Sequence, residues 1–332
     1  MPAISVLLPA RDASATLPAC LASLARQTER DWECVLVDDG SRDRTRAVAE
    51  AAAAADPRIR VVATPARGLV AALTAGLAHC RGELVARMDA DDVMHRMRLA
   101  AQRAALDDPE LAAVGSRVRV FPRRGLSDGF RAYEHWLNGI DAPARVRAEA
   151  FVECPIVHPT LMIRRAVLTG VGYRECGWPE DYDLVLRLLG AGHRLAVLPR
   201  RLLGWRDSPG RLTRTGRAYA RDRIVACKAA FLAAQFLAGR DEYVLWGYGG
   251  TGRALRRALL VHGKRPSHVV EVHPGRLGNR IHGAPVVPPA ALAALRETRI
   301  VASVAGEAAR GLIRATLAGL GFAETEDFVC AA

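Results

Sequence analysis

Lysine is almost missing from this chain of 332 residues: Lys228 and Lys264 are the only two among 47 basic residues, and the rest are arginines. Against 35 acidic residues this gives a formal charge of +12. With so much alanine, the arginine excess reads in part as the codon bias of a GC-rich genome. A basic balance suits nucleic acid, an anionic membrane surface or a phosphorylated substrate. No nucleic-acid motif accompanies it, so nucleic acid is not expected as a partner. Long apolar runs are missing too: stretches such as Ala51–Ala55 fall far short of the ~20 residues a membrane span needs. Met1-Pro2-Ala3-Ile4 shows no basic stretch leading into an apolar one, so neither a signal peptide nor a transmembrane anchor is expected. The seven cysteines are odd in number and never at CxxC spacing. That argues against a disulfide framework or a structural zinc and fits a reducing cytoplasm. What remains is ordinary globular material, 50% hydrophobic and 25% charged, which excludes a disordered or fibrous chain. Its length suits two domains.

Periodicity organises the first part. Ile4–Pro9, Trp32–Val37, Ile59–Ala63 and Glu83–Met88 read as strands, and Ala15–Arg26, Thr45–Ala55 and Leu69–His79 as helices. The alternation predicts a parallel sheet with helices on both faces. Ligands of such sheets bind at the carboxyl ends of the strands. There the chain places Pro9-Ala10-Arg11-Asp12, Asp38-Asp39-Gly40-Ser41, Arg67-Gly68 and Asp89-Ala90-Asp91-Asp92. Clustered carboxylates repel one another unless a cation or hydrogen-bond donors stand between them. A divalent metal carrying a phosphorylated ligand is the natural occupant. The middle is less regular, with a loop at Cys154–Pro159, a strand at Thr160–Ile163, an amphipathic helix at Tyr182–Leu189 and a strand at Arg194–Leu198.

A helical stretch, Arg217–Leu237, leads to a second α/β unit, so the expected domains are 1–239 and 240–332. The second has strands at Glu242–Trp246, His268–Val272, Pro285–Val287 and Arg299–Val304, and a helix at Arg253–His262. Gly247-x-Gly249-x-x-Gly252 follows its first strand and opens its helix. Glycines there permit a tight turn and close approach of a phosphate to a helix N-terminus. Glu271 stands where an acid would hold a ribose. Two readings stay open: a nucleotide or dinucleotide site, or a docking or oligomerisation module.

The run Ile4–Asp12, then Val35–Asp43, then Met88-Asp89-Ala90-Asp91-Asp92, then Glu180-Asp181-Tyr182-Asp183 with Leu186-Arg187, resembles glycosyltransferase family 2 over roughly residues 1–210. The resemblance implies a GT-A type, Rossmann-like parallel-sheet domain, here followed by a small Rossmann-like α/β domain. The latter is similar to units appended to some sugar-modifying enzymes, with Gly283-Ala284-Pro285-Val286-Val287 as a further likeness. It also implies inverting transfer of a sugar from a nucleotide-sugar donor, a UDP-sugar above all, to a saccharide or lipid-linked saccharide. In that frame Asp38, beside Asp39, contacts the base, and the loop with Pro9 and Arg11 lines the nucleoside. Asp89 reaches the ribose, and Asp91 binds Mg²⁺ or Mn²⁺. Arg67 lies near the nucleotide. Asp181 is the base and Glu180 orients it. Trp178 either stacks on the acceptor or packs in the core, and His158 is weighed as a structural loop residue against an acceptor-side one. Arg206 keeps the arginine of a Tyr-Arg-x-His segment whose histidine is missing here. The basic Arg211–Arg223 segment leaves peripheral membrane contact open beside a solvated helix face, and a homo-oligomer is also left open. A sugar-phosphate nucleotidyltransferase would need glycines after the first strand, which this chain lacks. A scaffold with a dead transferase site is disfavoured by the intact Asp89, Asp91 and Asp181.

Overall fold

The computed structural model describes residues 1–332. The chain divides into two compact units. The first comprises Met1–Val146, Pro155–Cys176 and Arg187–Arg211; the second comprises Arg147–Cys154, Gly177–Leu186 and Leu212–Ala332. Up to Arg206 the elements are β1 (Ile4–Ala10), α1 (Leu17–Ala25), β2 (Trp32–Asp39), α2 (Thr45–Ala55), β3 (Ile59–Thr64), α3 (Leu69–His79), β4 (Leu84–Arg87), β5 (Val93–Met94), α4 (Arg98–Ala105), β6 (Leu111–Phe121), α5 (Asp128–Asn138), α6 (Pro143–Glu149), β7 (Met162–Arg164), α7 (Arg165–Val171), α8 (Glu180–Gly190) and β8 (Arg194–Arg206). Beyond it come α9 (Leu212–Thr215), α10 (Arg221–Phe231), β9 (Glu242–Trp246), α11 (Gly250–Val261), β10 (Arg265–Val270), β11 (Arg280–Ile281), β12 (Ala284–Val287), β13 (Ile300–Ala302), α12 (Glu307–Gly319) and β14 (Phe328–Cys330). No helix is long and apolar enough to cross a membrane.

The first unit is built on an eight-stranded sheet of order β3-β2-β1-β4-β7-β6-β8-β5. Strands β3, β2, β1 and β4 are mutually parallel. Every residue of β1 is buried, because a central parallel strand is covered on both faces and therefore reads as a near-continuous apolar run. Helix α3 lies close on this sheet. A Cβ at Gly76 would stand 2.4 Å from Leu7 Cδ1 and 2.7 Å from Val37 Cγ2, so any larger residue would force these core side chains to shift. At the amino ends of the strands a polar staple satisfies the buried groups. Ser5 Oγ donates to Glu33 Oε1 at 2.6 Å and accepts from the Gly82 amide at 2.8 Å, while the Arg81 amide and Nε donate to Glu33 at 2.7 and 2.9 Å. These bonds hold the Glu33 carboxyl below its ordinary range against the cost of burial.

Past β4 the sheet is mixed rather than parallel. Strand β7 runs antiparallel to β4 and β6, β6 runs parallel to β8, and β5 runs antiparallel to β8. The register Val93↔Gly204 and Met94↔Leu203 brings the end of β8 beside the chain that follows β4.

The second unit has a six-stranded sheet of order β11-β12-β10-β9-β13-β14. All but the antiparallel hairpin strand β11 are parallel. Counted along the chain, the parallel strands follow the 3-2-1-4-5 order of a doubly wound nucleotide-binding sheet. Its core is Val244, Leu245, Leu255, Leu259, Val269, Ile300, Val301 and Leu317, all buried. The expected Arg217–Leu237 helix is broken into a 3₁₀ turn at Arg217–Tyr219, α10, and a π-helical turn at Leu232–Phe236. Two buried charges pin the early segment of this unit. Glu149, fully buried, pairs with Arg314 at 3.0 Å and Arg310 at 4.0 Å, both on α12. Lys228 Nζ donates to the carbonyls of Val152 and Ala331, and burial pushes its pKa down.

Candidate active site

At the carboxyl edge of the first sheet, the loops after β1 and β2 are zipped together. The Asp12 amide donates to Ser41 Oγ (3.0 Å), the Arg42 amide to Asp12 Oδ1 (2.7 Å), the Ala13 amide to Thr45 Oγ1 (2.7 Å) and the Ser14 amide to Asp43 Oδ2 (3.0 Å). Hydrogen bonds from Ser14 and Thr45 hold the Asp43 carboxyl below its ordinary range. Pro9 lies within β1 and is buried, whereas Arg11 is exposed at its end. Strand β2 extends through Asp38 and Asp39, which alternate to opposite faces. Asp38 accepts from the Ser41 amide at 3.3 Å across the turn at Gly40. That turn requires glycine: its φ is +63°, and a Cβ would stand 2.7 Å from the Ala66 nitrogen. Asp39 accepts from the Arg67 and Gly68 amides, both at 2.9 Å, and lies 3.5 Å from Arg11. Asp39 therefore holds the backbone of the third loop in place and leaves the exposed Arg67 side chain at its tip.

The loop after β4 gathers Asp89, Asp91 and Asp92, one carboxylate oxygen of each lying within 4.8 Å of the others. Asp89 is paired with the buried Arg87 guanidinium at 2.6 Å. Asp92 is only 1% exposed. Its Oδ1 accepts from the Arg206 amide at 2.7 Å, while Oδ2 has no hydrogen-bond partner. Arg206 Nε donates to the Asp91 carbonyl at 2.6 Å, and its guanidinium lies 4.6 Å over the Phe121 ring. Burial, then the charge of Asp89, pushes the Asp91 carboxyl above its ordinary range, and Arg211 opposes the rise. Burial and the charges of Asp89 and Asp91 push Asp92 higher still. A cation between these carboxylates removes both penalties. Three carboxylates with an orphaned buried oxygen form a hard oxygen donor set of the kind Mg²⁺ and Mn²⁺ take, so the residues fit the metal.

Beneath the loop, the fully buried Arg98 donates from Nη2 to the Arg87 carbonyl at 2.8 Å and from Nε to Gln102 Oε1 at 3.0 Å. Burial lowers its pKa to about 9. Arg87, Asp92 and Arg98 were not among the residues that sequence reasoning selected for roles. The adjacency of Asp92 to Asp91 was its signal; buried arginines leave none.

His158 opens a 3₁₀ turn in the first unit, is 6% exposed, and lies 3.3 Å from the Tyr173 hydroxyl through Nε2. The remaining expected residues lie in the second unit. The half-buried Trp178 donates its indole N–H to the buried Asp183 at 3.1 Å. Helix α8 starts at Glu180, two residues earlier than expected, so Glu180, Asp181 and Asp183 all occupy its first turn, where the helix dipole favours anions. Asp181 is half-buried and accepts from the Tyr182 amide at 2.7 Å. Glu180 is buried and accepts from the Tyr219 hydroxyl. The Tyr182 hydroxyl donates to the Ala150 carbonyl at 2.7 Å. Gly247 and Gly249 lie in the turn between β9 and α11, Gly252 lies in the first turn of α11, and Glu271 follows β10.

Residues 5–171, half of the chain, match the family model for glycosyl transferase family 2. The amylovoran biosynthesis glycosyltransferase AmsE of Erwinia amylovora is 33% identical over 186 residues, covering 55% of this chain and 67% of that protein. EpsE of Bacillus subtilis, named as a glycosyltransferase, is 30% identical over 231 residues, covering 68% and 80%. Among solved structures, S. aureus TarS in complex with UDP-GlcNAc is similar with a TM-score of 0.56 at 18% identity, covering 78% of this chain and 72% of that one. The mannosyltransferase PcManGT of Pyrobaculum calidifontis, in complex with GDP-Man and Mn²⁺, gives a TM-score of 0.54 at 18% identity, covering 97% and 81%. These two likenesses are of fold. Taken with the acidic edge of the sheet, the family match shows that the chain belongs to glycosyltransferase family 2 and is a glycosyltransferase.

Proposed function

We propose that this enzyme carries out metal-dependent, inverting transfer of a sugar from a nucleotide sugar to a hydroxyl of a saccharide or lipid-linked saccharide, in polysaccharide or glycoconjugate synthesis. The observation that carries the reading is the cluster of Asp89, Asp91 and Asp92 at the carboxyl edge of a parallel sheet. Asp91 would hold Mg²⁺ or Mn²⁺, with Asp92 and Asp89 beside it. When bound, the ion supplies Lewis-acid stabilisation of the charge that develops on the departing nucleoside diphosphate. Asp38 meets the base and Asp89 the ribose, with the loop at Pro9 and Arg11 lining the nucleoside. Arg67 and Arg206 supply positive charge near the diphosphate. Asp181 takes the proton of the acceptor hydroxyl, a contribution of typically ~10²–10⁴-fold, and Glu180 orients it. Trp178 serves the acceptor side. Amylovoran synthesis, by the name of AmsE, supports the polysaccharide context, and the UDP-GlcNAc complex of TarS supports a UDP-sugar.

The test is calorimetry with UDP and GDP, each with and without Mn²⁺, followed by product analysis with a panel of nucleotide sugars. The reading expects Mn²⁺-dependent binding of one diphosphate and a product of inverted anomeric configuration. Binding indifferent to metal, or a retained configuration, overturns it.

A further inference from the structure

We propose that the second unit carries a nucleotide site of its own: the Gly247–Gly252 loop takes the diphosphate of a nucleoside diphosphate moiety on the first turn of α11, and Glu271 takes its ribose. The inference goes beyond the sugar-transfer reading and does not rest on it.

The strand order places this loop at the switch point between β9 and β13, where a doubly wound sheet opens a crevice for ligands. The three glycines have separable causes. Gly247 has φ +92° and a Cβ there would stand 2.4 Å from Val304 Cγ2; a Cβ at Gly252 would stand 2.1 Å from the Gly247 carbonyl oxygen. The fold itself demands both. Gly249 differs: its φ is −77°, and a Cβ there would meet nothing within 4 Å. Nothing within the protein calls for glycine at that position, whereas a phosphate brought close to the backbone does. Helix α11 has no acidic residue in its first turn. Its first intrahelical bond runs from the Arg253 amide to the Gly249 carbonyl, so the amides of Gly250, Thr251 and Gly252 precede the ladder and face outward as donors.

The second observation is Ser303, immediately after β13 on the other side of the switch point. It is 2% exposed and its Oγ has no hydrogen-bond partner. Its carbonyl accepts from Thr251 Oγ1 at 2.9 Å, and its Cβ lies 3.9 Å from the Cβ position of Gly252, which puts the residue against the floor of the loop. A buried hydroxyl without a partner calls for one, and a phosphate oxygen, or a water held with it, supplies it. Glu271 completes the set at the end of β10. Its Oε1 accepts from the Tyr248 amide and from Arg276 Nη1, both at 2.9 Å. Both bonds end on the same oxygen, so Oε2 is the atom for a ribose hydroxyl. Tyr248, whose hydroxyl lies 2.8 Å from His282 Nε2, walls the same side of the loop.

The experiment uses the full chain carrying Asp91→Ala, in EDTA, so that the metal-dependent donor site is silent. Calorimetry is run with ADP, UDP, GDP and NAD⁺. We expect at least one probe to bind saturably with one equivalent. Gly249→Val should weaken that binding by about tenfold or more through steric exclusion alone, with the unliganded melting temperature unchanged. Glu271→Gln should weaken it by about tenfold through loss of a charged acceptor, and it carries the test should Gly249→Val prove unstable. The proposal is overturned if no probe saturates, or if the binding that remains is indifferent to both substitutions. Failure of the donor-site reading looks different: it is Mn²⁺-dependent binding that survives Asp91→Ala when the titration is repeated with Mn²⁺ in place of EDTA.

Discussion

The two units share a sheet design and furnish its carboxyl edge by opposite means. Both place the strand order 3-2-1-4 around a switch point, β3-β2-β1-β4 in the first and β12-β10-β9-β13 in the second. In the first, the loop after the leading strand has no glycine, and the edge is armed with carboxylates that attract a phosphate only through a cation. In the second, the corresponding loop is glycine-rich and the helix that follows has no acid in its first turn. On the functions proposed above, the first arrangement would make ligand binding conditional on metal and suit a reaction in which charge builds on a leaving group. The second would bind a phosphate through backbone amides, without metal. Topology alone, then, says where a ligand sits, and the residue types at the edge say what is done to it.

The largest expected effect breaks this contrast on the acidic side. Asp91→Ala should abolish Mn²⁺-dependent binding of the nucleoside diphosphate and with it turnover, while the melting temperature holds; calorimetry with and without Mn²⁺ reads it, and unchanged metal-dependent affinity would remove Asp91 from the metal site. Next comes Asp181→Asn, which keeps shape and deletes the proton-accepting charge. Turnover should fall about 10²-fold or more with donor affinity nearly unchanged, and Glu180→Gln should cost less. Steady-state kinetics that reverse the two assign the base to Glu180, and kinetics indifferent to both point to His158. Third, Arg314→Ala removes a partner of the fully buried Glu149 and should destabilise the second unit by about 3 kcal/mol. Urea unfolding should show it, with metal-dependent diphosphate binding in the first unit retained. The smallest expected effect is the sharpest test of the comparison. Gly249→Val should change neither melting temperature nor sugar transfer, whereas Gly252→Ala, which drives a Cβ into the Gly247 carbonyl, should cost about 1–3 kcal/mol.

The parallel half of the first sheet is legible because buried parallel strands are written as unbroken apolar runs, and the acids sit where those runs stop. Asp38, Asp89 and Asp91 follow from that position and from the family likeness. Strand β6 is not marked in the same way. Gly115 interrupts it, since a Cβ there would stand 2.7 Å from Ile156 Cγ2, and Arg117 and Arg119 alternate into a stretch that reads as polar. Helix α12 is obscured by alanine and by Arg310, a charge that turns inward to Glu149. Arg87 and Arg98 escape for a related reason. A guanidinium buried to brace an acidic loop has the same letter as one in solvent, and in a chain this rich in arginine only the fold separates them. Asp39 shows the converse: its place in the motif is legible, but not that its oxygens anchor the Arg67 and Gly68 amides. Nothing in composition marks Arg147–Cys154 and Gly177–Leu186 as belonging with the C-terminal unit.

That last feature bears on how the enzyme comes into being on the ribosome. Tyr182, next to Asp181, hangs on the Ala150 carbonyl; Glu149 beside it is gripped by arginines of α12; and Lys228 ties Val152 to Ala331. Strands β1 to β4 and their acidic loop leave the exit tunnel early and can fold as they emerge. The segment that carries Asp181 is braced only once α12 and Ala331 have followed it out, so the two short early pieces of the second unit wait, unsupported, for partners more than 100 residues downstream.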